Sequence, residues 1–186
     1  MPPVDGHDRE CHDRELDPTL ARVDWADREA RKLAAEVLDL DAGRLGVPVL
    51  DDEGVAAVLK SARRIAVIGA SADPGRPSNG VLRGLRAAGY DVVAVNPSVI
   101  EVAGLPCYPT LAAAVAATGP VDIVDVFRRR EACPDHAREA VAAGARCLWL
   151  QLGIVSREAG VIAHDAGLAV VMNRCTLIEL EWLRRI

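Results

Sequence analysis

Apolar runs of four or five residues recur along the chain, separated by stretches in which apolar residues return every third or fourth position. Ile65-Ala66-Val67-Ile68 is such a run, continuous enough for a strand buried on both faces. It stops at Gly69, and Gly69-Ala70-Ser71 brings small residues to its C-terminal end. Pro74, Gly75 and Pro77 keep the next stretch irregular. Ser78 or Asn79 is then expected to cap a helix carrying Val81, Leu82 and Leu85. Gly89 closes that helix, and Asp91 to Val95 supplies the next strand. A strand, a small-residue turn, a helix and a strand make one βαβ unit. Its first turn and helix N-terminus form an anion site, because small residues let backbone N–H groups approach a phosphate.

The alternation continues to the C-terminus. A short strand is expected around Pro106 to Tyr108, then an Ala-rich helix capped by Thr110 and ending near Gly119. Asp122 to Phe127 reads as a strand, Glu131 to Ala143 as a helix and Arg146 to Leu152 as a strand. Ser156 caps a helix that Gly167 ends, Leu168 to Met172 is the last strand, and Cys175 to Arg185 the last helix. Such an order predicts an α/β protein with a Rossmann-type, doubly wound, mostly parallel sheet and helices on both faces.

The first 50 residues break the pattern. Residues 1 to 17 are polar, and HDRE occurs twice. His7, Cys11 and His12 could make a metal tag, but the composition favours a disordered, solvated tail, and no metal is expected. Asp17-Pro18 resembles a helix start, and Leu20, Val23, Ala30, Leu33, Ala34, Val37 and Leu38 mark one face of an amphipathic helix. That helix is expected to pack on the body, on a second copy in a homodimer, or on a protein partner. Asp41 to Pro48, with two glycines and a proline, links it to the body. The expected organisation is therefore an acidic extension over 1–50 and a Rossmann-type domain over 51–186.

Charge sharpens this division. Counted through Asp51, Asp52 and Glu53, just past that boundary, residues 1–53 carry 15 acidic and 7 basic residues, a net of −8, against +3 for residues 54–186. A mildly basic body suits an anionic small molecule, and +3 is too small to argue for nucleic acid. Aromatic residues make up 3% of the chain, so the core must be aliphatic. No apolar run approaches membrane-spanning length, and the N-terminus lacks the apolar segment of a signal peptide. Five scattered cysteines without a CxxC pair point to reduced thiols in a cytoplasm.

Ligands of such sheets sit beyond the carboxyl ends of the strands. Those ends are Gly69-Ala70-Ser71, Asn96-Pro97, Phe127-Arg128, Gln151-Leu152-Gly153 and Asn173-Arg174-Cys175. Turns attract Gly, Asn and Pro in any case. Five polar or small-residue ends on one rim nevertheless make a joint argument for a site. A nicotinamide dinucleotide is the usual occupant, but GxGxxG is absent, and the second strand ends Val95-Asn96-Pro97 without the acid that holds a ribose 2′-OH. An NAD-like cofactor stays as an alternative. GK[ST], GxSxG and HExxH are also missing.

IAVIGAS-x-DPGRPS, GYDVVAVNP, EVAGLPCYPTL, VDIVDVFRR, LWLQLGIVS and GLAVVMNRCTLIE together resemble the small bacterial CoA-binding domain proteins. That family is similar to the N-terminal CoA-binding domain of the succinyl-CoA synthetase α subunit. The resemblance spans roughly residues 55 to 186 and implies a Rossmann-type fold that binds coenzyme A or an acyl-CoA. It implies that Gly69, Ala70, Ser71, Arg76, Pro77 and Ser78 hold the diphosphate. Asn96 and Pro97 would then lie near the adenosine half, Phe127 and Arg128 across the crevice, and Gln151 and Gly153 along the pantetheine path. Asn173 stands where the family usually has Asp, and the acidic extension lies outside the resemblance.

The physical case agrees in part. A ligand with a diphosphate and a further phosphate benefits from arginine, and Arg76 is the first candidate. Arg128-Arg129-Arg130 offers a second clamp, with the first arginine expected to face the ligand. No Ser/His/Asp or Cys/His constellation can be placed, and His136 and His164 fall inside predicted helices. Asp122 and Asp125 flank a buried strand and are expected in turn and supporting roles. The residues thus favour a non-catalytic binding module. The alternative is a thiol-based redox regulator or enzyme using Cys175, whose place at a helix start favours nucleophilicity.

Overall fold

A computed structural model describes residues 28–185. Leu20, Val23 and the His7, Cys11 and His12 group lie outside the described residues. The elements are α1 (Arg28–Asp41), α2 (Asp52–Ser61), β1 (Arg64–Ile68), α3 (Pro77–Ala87), β2 (Asp91–Val95), β3 (Glu101–Val102) and β4 (Leu105–Tyr108). They continue with α4 (Leu111–Thr118), β5 (Ile123–Val126), α5 (Cys133–Ala142), β6 (Cys147–Leu150), α6 (Arg157–Asp165), β7 (Ala169–Val171) and α7 (Thr176–Leu183).

The seven strands form one sheet in the order β3-β4-β2-β1-β5-β6-β7. All neighbours are parallel except the β3–β4 hairpin at one edge. The chain winds outward from β1 in both directions, which is the doubly wound arrangement predicted from the alternation. The apolar runs divide between the two faces as a period of two requires. Ala66, Ile68, Val124, Val126, Leu148 and Leu150 face α4, α5 and α6, where Ala114, Ala137, Ala140, Ala159 and Ala163 keep the helices close to the sheet. Ile65, Val67, Ile123, Cys147 and Trp149 face the other way, toward Val55, Leu59, Val81, Leu82, Leu85 and Leu180 of α2, α3 and α7.

Caps follow the sequence closely, with one correction. Asp51, Thr110 and Ser156 accept hydrogen bonds from the first turns of α2, α4 and α6. Neither Ser78 nor Asn79 caps α3, because the helix starts earlier, with Pro77 in its first turn and Arg76 at the cap position. Proline's fixed φ suits that turn and costs no hydrogen bond there. Ser78 and Asn79 are consequently buried, and Asn79 Nδ2 donates to the Ser71 carbonyl at 2.8 Å. The hairpin partner β3 adds a strand to those expected, pairing antiparallel with β4. It turns through Ala103 and Gly104, both at positive φ, as a two-residue hairpin requires.

Residues 34–50 contribute to the body's core. Ala34, Val37, Leu45 and Val47 are buried, the last three within the same cluster as Val155, Ala159 and Met172. Arg157 Nε donates to the Leu45 carbonyl at 3.0 Å, and Leu50 N–H donates to the Val170 carbonyl on the sheet edge at 2.9 Å. Glu36 of α1 pairs with Arg130 at 2.6 Å.

Candidate functional site

The carboxyl ends of β1, β2, β5 and β6 and the start of α7 enclose a cavity of about 690 Å³. Ten of the residues expected at the site line it: Gly69, Ser71, Arg76, Pro77, Ser78, Asn96, Phe127, Arg128, Gln151 and Cys175. Three do not. Ala70 is fully buried and contributes its carbonyl, which accepts from Asn96 Nδ2 at 2.7 Å. Pro97 faces a smaller neighbouring cleft of about 380 Å³. Gly153 lies outside the lining and donates its N–H to Asn173 Oδ1 at 2.7 Å. That bond ties the end of β6 to the end of β7, and it needs an acceptor rather than a charge. Asn therefore serves where the resembling family usually has Asp.

The turn after β1 is held by its own polar groups. Ser71 Oγ accepts from Asp73 N–H, and Asp73 Oδ1 accepts from Gly75 N–H at 2.8 Å. Gly69 sits at φ +84°, and a Cβ there would lie 2.7 Å from the Phe127 carbonyl oxygen. The β1 and β5 ends can approach this closely only because position 69 lacks a side chain. Arg128 stretches alongside, its Nη2 3.5 Å from Asn96 Oδ1. Arg129 also lines the cavity, whereas Arg130 turns away to Glu36. Two arginines of the run therefore face the cavity rather than one.

Five further residues line the cavity: Arg129 and Leu152, from the arginine run and the β6 end that the sequence marks, and Val81, Ile154 and Ile178, which it does not mark as site residues. Ile178 follows Cys175 by three residues, the helical spacing that places both on one side of α7. Leu152 and Ile178 are large apolar side chains left more than half exposed. Arg76, Arg128 and Arg129 stand at the β1 and β5 ends, and Leu152, Ile154, Cys175 and Ile178 at the β6 and β7 side. The cavity is thus cationic at one end and apolar at the other.

A cleft of about 740 Å³ lies at the opposite end of the strands, beside Arg63, Arg64, Asp91 and Asp122. Its charges largely satisfy each other and the backbone. Arg64 pairs with Asp91, and Asp122 accepts from the Arg63 and Arg64 N–H groups and pairs with Arg146. It flanks the amino ends of the strands, where parallel sheets do not hold ligands. The carboxyl-end cavity is therefore the candidate site.

Beneath the cavity lies a buried polar cluster. Asp125 within β5, Gln151 after β6 and Thr176 at the start of α7 are all buried. Gln151 Nε2 donates to Asp125 Oδ1 and Oδ2 at 2.8 and 2.9 Å, and to Thr176 Oγ1 at 2.8 Å. Thr176 Oγ1 donates to Asp125 Oδ2 at 3.0 Å. Burial pushes the Asp125 carboxyl up to about 7, against the lowering effect of these hydrogen bonds. The native state therefore holds this proton more tightly than the unfolded chain. Stability from this group is full below about pH 4 and is lost as pH rises toward about 7, at roughly 1.4 kcal/mol per unit. Urea denaturation between pH 5 and pH 8 is expected to find Asp125→Asn gaining on the parent with each unit up to about 7. A constant difference would contradict the assignment.

Burial also pushes the Cys133 and Cys147 thiols up to about 12, and neither lines the cavity. Among the described residues, Cys175 is the thiol at the site. His136 bonds Glu139 within α5, and no cluster of His, Cys, Asp and Glu among the described residues is arranged to hold a metal. Among the described residues, no helix is long and apolar enough to cross a membrane.

Comparisons with known proteins concern the same part of the chain. The model of the CoA binding domain family matches residues 63–181. The chain is 37% identical over 118 residues to the uncharacterized protein YneT of Bacillus subtilis, covering 63% of this chain and 85% of YneT. It is 45% identical over 121 residues to an ADP-forming acetate–CoA ligase of Archaeoglobus fulgidus, covering 60% of this chain but 17% of the ligase. A hypothetical protein from Pyrococcus horikoshii superposes with a TM-score of 0.68 at 36% identity, covering 73% of this chain and 93% of that structure. Family model, relatives and fold converge on the same region that carries the cavity: this chain belongs to the CoA binding domain family.

Proposed function

We infer that the cavity binds coenzyme A or an acyl-CoA and that the chain is a binding module without catalysis of its own. The observation that carries this reading is the polarity of the cavity, with Arg76, Arg128 and Arg129 at one end and Leu152, Ile154 and Ile178 at the other. A ligand with a phosphorylated head and a long, uncharged arm matches that gradient. Neither a compact anion nor a purely apolar molecule does. The diphosphate is assigned to the turn from Gly69 to Ser71 and the residues opening α3, namely Arg76, Pro77 and Ser78. The small-residue turn, the Ser78 N–H at the helix start and two nearby guanidinium groups favour it there, since Pro77 has no N–H and that of Asn79 donates to the Arg76 carbonyl. Asn96 and Pro97 are assigned to the adenosine half, with Phe127 and Arg128 across from them. The arm then runs past Gln151 and Gly153 toward Cys175. The name of the ligase relative, which joins acetate to CoA, supports the choice of ligand.

Mass spectrometry under native, non-reducing conditions tests the reading. CoA added to the protein is expected to bind as a non-covalent 1:1 complex that dissociates on denaturation. Cys175→Ser is expected to retain affinity within about fivefold, since one weak thiol contact contributes about 1 kcal/mol at most. After mild oxidation with added peroxide, which takes up the two electrons of the two thiols, a CoA adduct that survives denaturation, is removed by reductant and is absent from Cys175→Ser would instead favour thiol chemistry.

A further inference from the structure

The buried cluster beneath the cavity fixes which end of an amide the ligand meets. Gln151 Nε2 has two hydrogens. One is shared between the two oxygens of Asp125, and the other goes to Thr176 Oγ1. The Thr176 hydroxyl spends its own hydrogen on Asp125 Oδ2. Every donor in the triangle is used, and the carboxylate accepts from both partners. With Asp125 ionised, as it is at pH 8, turning the amide over would set Gln151 Oε1 against the carboxylate oxygens at under 3 Å, acceptor against acceptor, with no hydrogen between them. Gln151 also lines the cavity, and its Oε1 is not among the buried polar atoms left without a partner. The amide therefore turns its nitrogen down to Asp125 and its carbonyl oxygen toward the ligand.

We propose that Asp125, through Gln151, is a positioning residue that makes the β6 end of the cavity floor a hydrogen-bond acceptor, selecting an N–H-bearing segment of the ligand and turning phosphate away. This rests on the CoA reading above and gives the bound molecule a direction. Phosphates are repelled by an acceptor oxygen and stay with the guanidinium groups at the β1 and β5 ends. The amide-bearing pantetheine arm, which supplies N–H donors, crosses β6. Asp125 itself touches no ligand; its effect is transmitted by the orientation of one side chain.

The test is a double-substitution cycle on the full chain at pH 8, read by calorimetry with CoA and by NMR of the Gln151 side-chain NH2. Gln151→Met keeps the side chain's length but removes the acceptor, and is expected to weaken CoA about tenfold. Asp125→Asn keeps the shape but offers a donor to either end of the amide, and is expected to weaken CoA several-fold. Added to Gln151→Met, it should have no further effect, because no amide remains to orient. In ligand-free protein the Gln151 NH2 resonances, identified by their loss in Gln151→Met, should shift markedly in Asp125→Asn. Multiplicative effects on affinity, or a CoA affinity untouched by Asp125→Asn in a folded protein, would overturn the proposal. Unmoved NH2 resonances would overturn it as well. Failure of the parent to bind CoA would instead defeat the ligand assignment, and the resonances would still report whether Asp125 orients the amide.

Discussion

Gly69→Val is expected to abolish CoA binding, by at least a hundredfold, while leaving the circular dichroism spectrum largely native. The position is constrained twice. Its φ of +84° lies in the left-handed region, and any Cβ there would sit 2.7 Å from the Phe127 carbonyl oxygen. A β-branched residue in that conformation costs about 1–2 kcal/mol before any clash. The clash is with backbone, so relief requires the ends of β1 and β5 to move apart. Those ends carry the small-residue turn on one side and Phe127, Arg128 and Arg129 on the other. A shift of even an ångström separates the groups assigned to the diphosphate, whereas the buried body of the sheet keeps its hydrogen-bonded register. Calorimetry with CoA and a urea melt check both halves. The melt should report a loss of about 3 kcal/mol. Native affinity in the variant would place the diphosphate elsewhere.

Removing residues 1–50 is expected to destabilise the body severely. Val37, Leu45 and Val47 are buried in the cluster that lies under α6 and β7. Each fully buried side chain of this kind contributes about 1.5–3 kcal/mol, so their combined loss approaches 5 kcal/mol or more. That is comparable with the whole stability of a typical domain. The truncation also strips the Leu50 N–H from the Val170 carbonyl, exposing the edge of β7, and removes the Leu45 carbonyl from Arg157. A fragment of residues 51–186 should therefore unfold at much lower urea than the full chain and expose a sticky sheet edge. Light scattering together with the urea midpoint measures both. An unchanged midpoint would mean that the contacts of residues 34–50 contribute little.

The sheet was legible because its strands are buried on both faces, so apolar runs such as Ile65 to Ile68 and Cys147 to Leu150 carry the signal without any alternation. The rim was legible for a related reason: each run stops at a glycine, an asparagine or an arginine. Which of those residues turns inward was harder to read. At a strand end a single residue decides between cavity and core. Ala70 therefore went down into the core while Gly69 and Ser71 line the cavity. Nothing in the sequence marks Ile154 or Ile178, which the turn after β6 and the first turn of α7 bring to the cavity. The start of α3 hinged on Pro77, whose suitability for a first turn outweighed the side-chain caps available at Ser78 and Asn79. Asp125 did leave a mark in the sequence, as a lone acid inside the run from Ile123 to Val126. Its partners, Gln151 and Thr176, are distant in the chain, so the cluster required the fold.

Isothermal titration of the full chain with CoA, NAD+ and NADP+ under identical conditions tests the central claim most directly. The small-residue turn, the two arginines after β5 and the missing ribose-binding acid at Asn96-Pro97 predict one CoA per chain, bound at least tenfold more tightly than either dinucleotide. Tighter binding of NAD+ or NADP+, or no heat with CoA at all, would contradict the account.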